Sequence, residues 1–190
     1  QIGDHDTPVE EAIELTIALM EASERLGAEA HLEMHRDTCT ETPEKTYAII
    51  RGYEQRTGKL PRINFDYSHP AIVKHLMAKN YTERLIERPD VLQAATLLHI
   101  RPFNGHHCQI PITDGAGRFS PEFEAFRPFL RDLFRCWLGG SRPGGVLWVV
   151  PELGPVRSGY GLSCFPNIWE DTVVAGEEFR RAWAEALESF

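Results

Sequence analysis

Glu33, Asp66, His99 and Glu152 each close an apolar run, in HLE, INFD, TLLH and VLWVVPE. Their spacings are 33, 33 and 53 residues. A step of about 33 residues accommodates one strand, one crossover helix and two loops of a parallel α/β fold. Each side chain is therefore expected at the C-terminal tip of its own strand, on the face where such folds place their chemistry. Three carboxylates and an imidazole brought together there would form the ligand set of one divalent metal. Mixed oxygen and nitrogen donors suit Mn, Mg, Co or Zn alike.

Each of these residues also has an ordinary explanation. Glu33 could pair with Arg36, and Asp66 could cap the helix that follows it. His99 could be a hydrogen-bonded core group, and Glu152 part of a glycine-rich surface loop. Four such explanations would have to coincide at four equivalent strand tips. The neighbouring residues add candidate substrate contacts. His69 follows Asp66 in the spacing Asp-x-x-His and is held extended by Pro70. His35 lies two residues beyond Glu33. Arg101, two residues beyond His99, and Arg157, in the loop after Glu152, offer planar forks for a carboxylate or phosphate. Tyr160 is a further possible contact. His106 and His107 could bind substrate, hold a second metal or stand in solvent. No GxGxxG or P-loop pattern supports nucleotide binding.

The intervening sequence supplies the elements such a site needs. Residues 8–27 have helical periodicity, with Thr7 and Pro8 as cap and first turn, Glu10 completing a capping box, and Gly27 as the stop. A strand AHLEM leads to a helix over 43–57, opened by Thr42–Pro43 and closed by Gly58. A strand RINFDY precedes a helical stretch near 70–95, broken at Pro89. A strand TLLHI precedes a long loop, 102–119, and a helix from Pro121 to Leu138 capped by Ser120. A strand VLWVV, a glycine-rich loop over 153–166 and a helix over about 170–188 complete the chain. The strand runs are short and nearly continuous in apolar residues, as strands covered on both faces must be.

The 190 residues suffice for one domain over 1–190. Four parallel strands cannot close on themselves, and QIGDHD reads as the tip of a preceding strand. The expected fold is therefore the last four β/α units, plus a preceding helix, of a (β/α)8 TIM barrel, with a complete small open α/β sheet as the alternative. Its two unpaired sheet edges would favour association, with a homo-oligomer one outcome. A net charge of −8 without a basic stripe argues against a nucleic-acid partner. The four cysteines form no CxxC pair, which fits a reduced, cytoplasmic protein. No apolar run approaches the ~20 residues of a membrane span, and QIGDHDTP lacks the features of a signal peptide.

A strand-end Glu, then Asp-x-x-His, then a strand ending in His, then a strand-end Glu resembles the second half of the xylose isomerase-like barrel superfamily. The resemblance covers essentially the whole chain. It implies Glu33, Asp66, His99 and Glu152 as metal ligands, Glu33 and Glu152 as an acid–base pair, and His69 as a substrate-binding histidine. The implied activity is divalent-metal-dependent isomerisation or epimerisation of a small sugar or hydroxy-carbonyl compound, by proton abstraction and a metal-stabilised enediolate. The chain departs from the epimerase branch in reading His-Ile-Arg where that branch has His-x-His. The competing expectations are a metal-dependent phosphoesterase resembling endonuclease IV, and a non-catalytic binding protein that retains the barrel.

Overall fold

The computed structural model describes residues 1–140 and 144–190. The element order is α1 (Val9–Leu26), β1 (Leu32–Glu33), α2 (Pro43–Thr57), β2 (Ile63–Phe65), α3 (Ser68–Val73), α4 (Tyr81–Leu85), α5 (Pro89–Ala94), β3 (Leu97–Ile100), α6 (Pro121–Leu138), β4 (Trp148–Pro151) and α7 (Ile168–Leu187). Among the described residues the strands make one four-stranded sheet in the order β1-β2-β3-β4, parallel throughout. The molecule is thus an α/β protein built on an open parallel sheet. No helix among the described residues is long and apolar enough to cross a membrane.

Register divides the sheet into two chemically different faces. Glu33, Asn64, Leu97 and Trp148 stand side by side, and His99 pairs with Val150 two residues on. Successive side chains alternate, so these residues share one face. Leu32, Ile63, Phe65, Leu98 and Ile100 occupy the other face and are buried in the core with the helices. The helices succeed one another along that covered side, α1 against α2, α5 against α6 and α6 against α7. The opposite face carries the polar groups and opens to solvent toward β4, where Trp148 is 69% exposed.

Helix α6 shows how sequence builds the covered side. Ser120 Oγ accepts the Phe123 amide at the N-terminus and Pro121 occupies the first turn. Phe123, Phe126, Leu130, Leu133, Phe134 and Trp137 recur at three- and four-residue intervals and are all buried. Phe126 meets Phe103 edge-on at 5.1 Å, so this helix fixes the backbone two residues beyond Arg101. Further along the same loop, Asp171 of α7 accepts the Ile112 amide at 2.8 Å and the Thr113 hydroxyl at 2.7 Å. The loop between β3 and α6 is thereby tied to the last helix.

The caps at Thr42, Ser120, Gly27 and Gly58 occur as expected. Elsewhere the structure corrects the sequence reading. Pro8, with extended backbone, is itself the N-cap of α1 and gives no side-chain cap; the Thr7 hydroxyl bonds Asp4 instead, and no capping box forms with Glu10. The stretch 70–95 is three short helices and a 3-10 turn, because His75 takes a left-handed φ of 50° after α3 and Pro89 opens a new helix. AHLEM contributes only Leu32 and Glu33 to the sheet. The last helix begins at Ile168, capped by the Asn167 side chain. Residues 1–8 form no strand, although Ile2 accepts a hydrogen bond from the Cys39 amide.

Truncating Phe126 to alanine should cost about 3–5 kcal/mol, the range for deleting a buried aromatic ring. Chemical denaturation followed by circular dichroism would measure it.

Candidate functional site

Glu33, His99 and Glu152 converge at the strand tips of the uncovered face, with one ligand atom from each within 4.8 Å of the others. His99 Nδ1 lies 2.9 Å from Glu33 Oε1 and 3.4 Å from Glu152 Oε2. One ring nitrogen therefore faces two carboxylates. These contacts, first with Glu152 and then with Glu33, push the His99 pKa up to about 10 against the opposing effect of burial. An imidazolium thus balances the two acidic groups in the metal-free protein.

The three side chains are held from behind. Gln1 Nε2 donates to Glu33 Oε2 at 3.0 Å, and Asn64 Nδ2 reaches Glu33 Oε1 at 3.4 Å. The Asn64 side-chain oxygen also accepts the His99 amide at 2.9 Å, tying β2 to β3 at the level of the site. The Glu33 carbonyl accepts the Thr40 hydroxyl, and Thr38 and Thr40 fold the following loop back on itself. Burial raises the Glu33 pKa, but the bonds from His99 and Gln1 outweigh it and hold the carboxyl below its ordinary range. Glu152 accepts from Arg101 Nη2.

Asp66 is not part of this triad. It is fully buried, and its Oδ2 accepts from Arg101 Nη2 at 3.0 Å. Its Oδ1 accepts the Ser68 amide at 3.0 Å. His69 Nε2 lies 3.3 Å from Asp66 Oδ2, close enough for charge contact but off hydrogen-bond alignment. Burial works against ionisation of Asp66, yet His69 and Arg101 overcome it and its pKa is lowered. Asp66, expected among the metal ligands, stands instead against Arg101: a buried guanidinium needs a buried countercharge, and Asp66 supplies it. Arg101, 3% exposed, bridges Asp66 to Glu152.

His69 lies in the first turn of α3, not extended as expected before Pro70, and is fully buried. Its Nδ1 is 3.2 Å from Arg36 Nη1, and a guanidinium only donates, so Nδ1 accepts. A continuous polar chain thus runs Arg36, His69, Asp66, Arg101, Glu152. His35 stacks on His69 at 3.8 Å between ring centroids and donates from Nδ1 to the Arg36 carbonyl. Burial lowers the His35 pKa. Tyr160 lies under both guanidinium groups, 4.1 Å from Arg101 and 5.2 Å from Arg36. The loop that carries it is clasped by Gln109, which donates to the Gly154 carbonyl at 2.9 Å and accepts the Gly154 amide at 2.7 Å. Arg157 is exposed in the 3-10 turn Val156–Ser158 and stands apart from these groups. His106 and His107 are likewise exposed, gathered around Asn104.

Sequence reading missed Gln1 and Asn64, and offered Arg36 as a partner of Glu33 where the structure sets it against His69 and Cys108. Asn64 carried a signal, since an amide two residues before Asp66 must share its face in a strand. Gln1 carried none, because loop geometry alone brings it in. No family model, curated protein or solved structure matches this chain. The case for a function therefore rests on the arrangement of these side chains.

The donor set suits a divalent ion. Two carboxylates and an imidazole from three strands supply three ligands, and Gln1, Asn64 and Arg101 orient the carboxylates as outer hydrogen-bond partners do in metal sites.

Two outcomes follow. Asp66→Asn should destabilise the fold by up to about 3–5 kcal/mol, since it leaves the buried Arg101 with only the partly exposed Glu152 as countercharge. Glu33→Gln should cost far less, and urea titration of both variants checks the contrast. The raised pKa of His99 also gives the metal-free protein a pH dependence. The stabilisation is complete below the ordinary imidazole value near 6.5 and is lost as pH rises through about 10. Melting temperatures between pH 6 and 11, compared with His99→Gln, would measure it; a curve unchanged by the substitution would remove His99 as the cause.

Proposed function

We propose that this chain carries the active site of a divalent-metal-dependent isomerase or epimerase acting on a small sugar or hydroxy-carbonyl compound. The observation that carries the reading is the convergence of Glu33, His99 and Glu152 on the uncovered face of the sheet. We further propose that the sheet belongs to a (β/α)8 barrel of the xylose isomerase-like type. The strictly sequential parallel order and the helices along one face support that architecture.

Glu33, His99 and Glu152 would hold the ion, which when bound supplies a positive field for charge developing on a substrate oxygen. The chain's own residues do the rest. Glu33 stands on β1 and Glu152 just beyond β4, with His99 between them. A substrate carbon held between two carboxylates can lose its proton to one and regain a proton from the other, on the opposite face or on the adjacent carbon. A carboxylate oxygen free of the ion acts as the base. Arg101 holds Glu152 in place from behind, and Asp66 holds Arg101.

Elemental analysis should find about one divalent ion per chain after incubation with Mn, Co or Zn, and Glu152→Gln and His99→Ala should abolish it. Ion uptake should release about one proton below pH 10, because His99 must lose its proton to become a ligand. Calorimetry in buffers of different ionisation enthalpy reads this directly. The metal-loaded protein should exchange the proton α to the carbonyl of a suitable ketose or hydroxy-carbonyl compound for deuterium in D2O, by NMR. A folded protein that takes up no metal would overturn the assignment.

A further inference from the structure

We propose that Arg36, His69 and Arg101 form a receptor for an oxyanion on the substrate, a carboxylate or a phosphate, and that Tyr160 covers it in this structure. The inference rests on the isomerase or epimerase reading for the identity of the molecule that carries the anion. It names the substrate class as acidic rather than neutral.

Two guanidinium groups lie against one tyrosine ring, at 4.1 and 5.2 Å from its centroid. A guanidinium withdrawn from water is tolerated only with negative charge beside it. Arg101 is compensated by Asp66 and Glu152, but both act through the single nitrogen Nη2. Its Nε and Nη1 are buried and make no hydrogen bond. Arg36 has no carboxylate partner among the described residues; Nη1 reaches only the imidazole of His69 and the sulfur of Cys108. Nε2 of the fully buried His69 faces Asp66 Oδ2 at 3.3 Å. Unmade hydrogen bonds on buried donors are costly, and native proteins keep few of them. Here two such atoms belong to Arg101, which shares the Tyr160 ring with Arg36, a guanidinium that has no carboxylate partner among the described residues.

An oxyanion answers all of these deficits together. It presents several acceptor oxygens, matches the planar fork of arginine, and neutralises Arg36. A cavity of about 310 Å³ lined by Arg36, His107, Cys108 and Tyr160 opens beside this cluster and provides a route to it. The ring of Tyr160 stands where the ligand would be, flanked by Gly159 and Gly161 in the loop that Gln109 clasps at Gly154. Gly159 takes a φ of 81°, so the backbone beside the ring occupies a conformation that glycine adopts freely. Arg101 touches Glu152 directly, which sets the anion one side chain from the proposed acid–base pair.

The test is calorimetric titration of metal-free protein at low salt with glycolate, inorganic phosphate and neutral glycolamide. The samples are wild type, Arg36→Gln and Tyr160→Ala, each checked for folding by circular dichroism. A parallel Mn titration of the same samples shows separately whether the metal site holds. Saturable binding of either anion at about one per chain is expected, with no binding of glycolamide; glycolate alone assigns a carboxylate and phosphate alone a phosphoryl group. Arg36→Gln should weaken the anion at least about tenfold while Mn uptake is retained, and Tyr160→Ala should tighten it. No anion binding in folded wild type and folded Tyr160→Ala would overturn the proposal, as would equal affinity in Arg36→Gln. Weaker binding in Tyr160→Ala would overturn the role of Tyr160 as a cover.

Discussion

The buried pair of Asp66 and Arg101 is the constraint on which the rest of the mouth depends. Removing a guanidinium from water is expensive, and only a countercharge in good geometry makes it tolerable. Asp66 meets that need from β2 and leaves the same Arg101 nitrogen in contact with Glu152 beyond β4. A residue after β3 thus joins the tips of the strands on either side of it. Asn64 makes the corresponding connection lower down, between the Glu33 carboxylate and the His99 amide. The functional groups are therefore placed by hydrogen bonds that cross strands, and they inherit the rigidity of the sheet.

Below the tips, the division of labour between the two sheet faces is a matter of packing. Leu32, Ile63, Phe65, Leu98 and Ile100 are held against helices, with the aromatic cluster of α6 behind them. Parallel strands require cover on both sides. On the face that bears the polar groups, cover falls away from β2 toward β4, from buried Asn64 to exposed Trp148. Glu33, His99 and Glu152 stand on that face, half-buried, where they can be both oriented and reached.

How much of this was legible depended on whether local or long-range physics decided it. Thr42, Ser120, Gly27 and Gly58 act through their own backbone neighbours, and their roles could be read directly. The spacing of Glu33, His99 and Glu152 was legible because strand tips in a parallel fold recur at regular intervals. Asp66 shared that spacing but stands outside the triad. Its fate was decided by Arg101, whose burial depends on the closeness of two loops that the sequence separates by 35 residues. Gln1 and Arg36 enter by loop paths that no periodicity marks. The stretch 70–95 was over-read as helix because a left-handed backbone at His75 leaves no compositional trace.

The amide clasp between Gln109 and Gly154 has a consequence for how this architecture can diversify. It joins the loop after β3 to the loop after β4 through both the backbone donor and the backbone acceptor of a single residue, Gly154. A length change in either loop that shifted this residue by an ångström or more would break both bonds together. The two loops can therefore accept insertions only on the far side of the clasp from the strands. Grafting the Tyr160 loop onto another scaffold would require the glutamine to travel with it, so the smallest transferable unit is the loop pair rather than either loop alone.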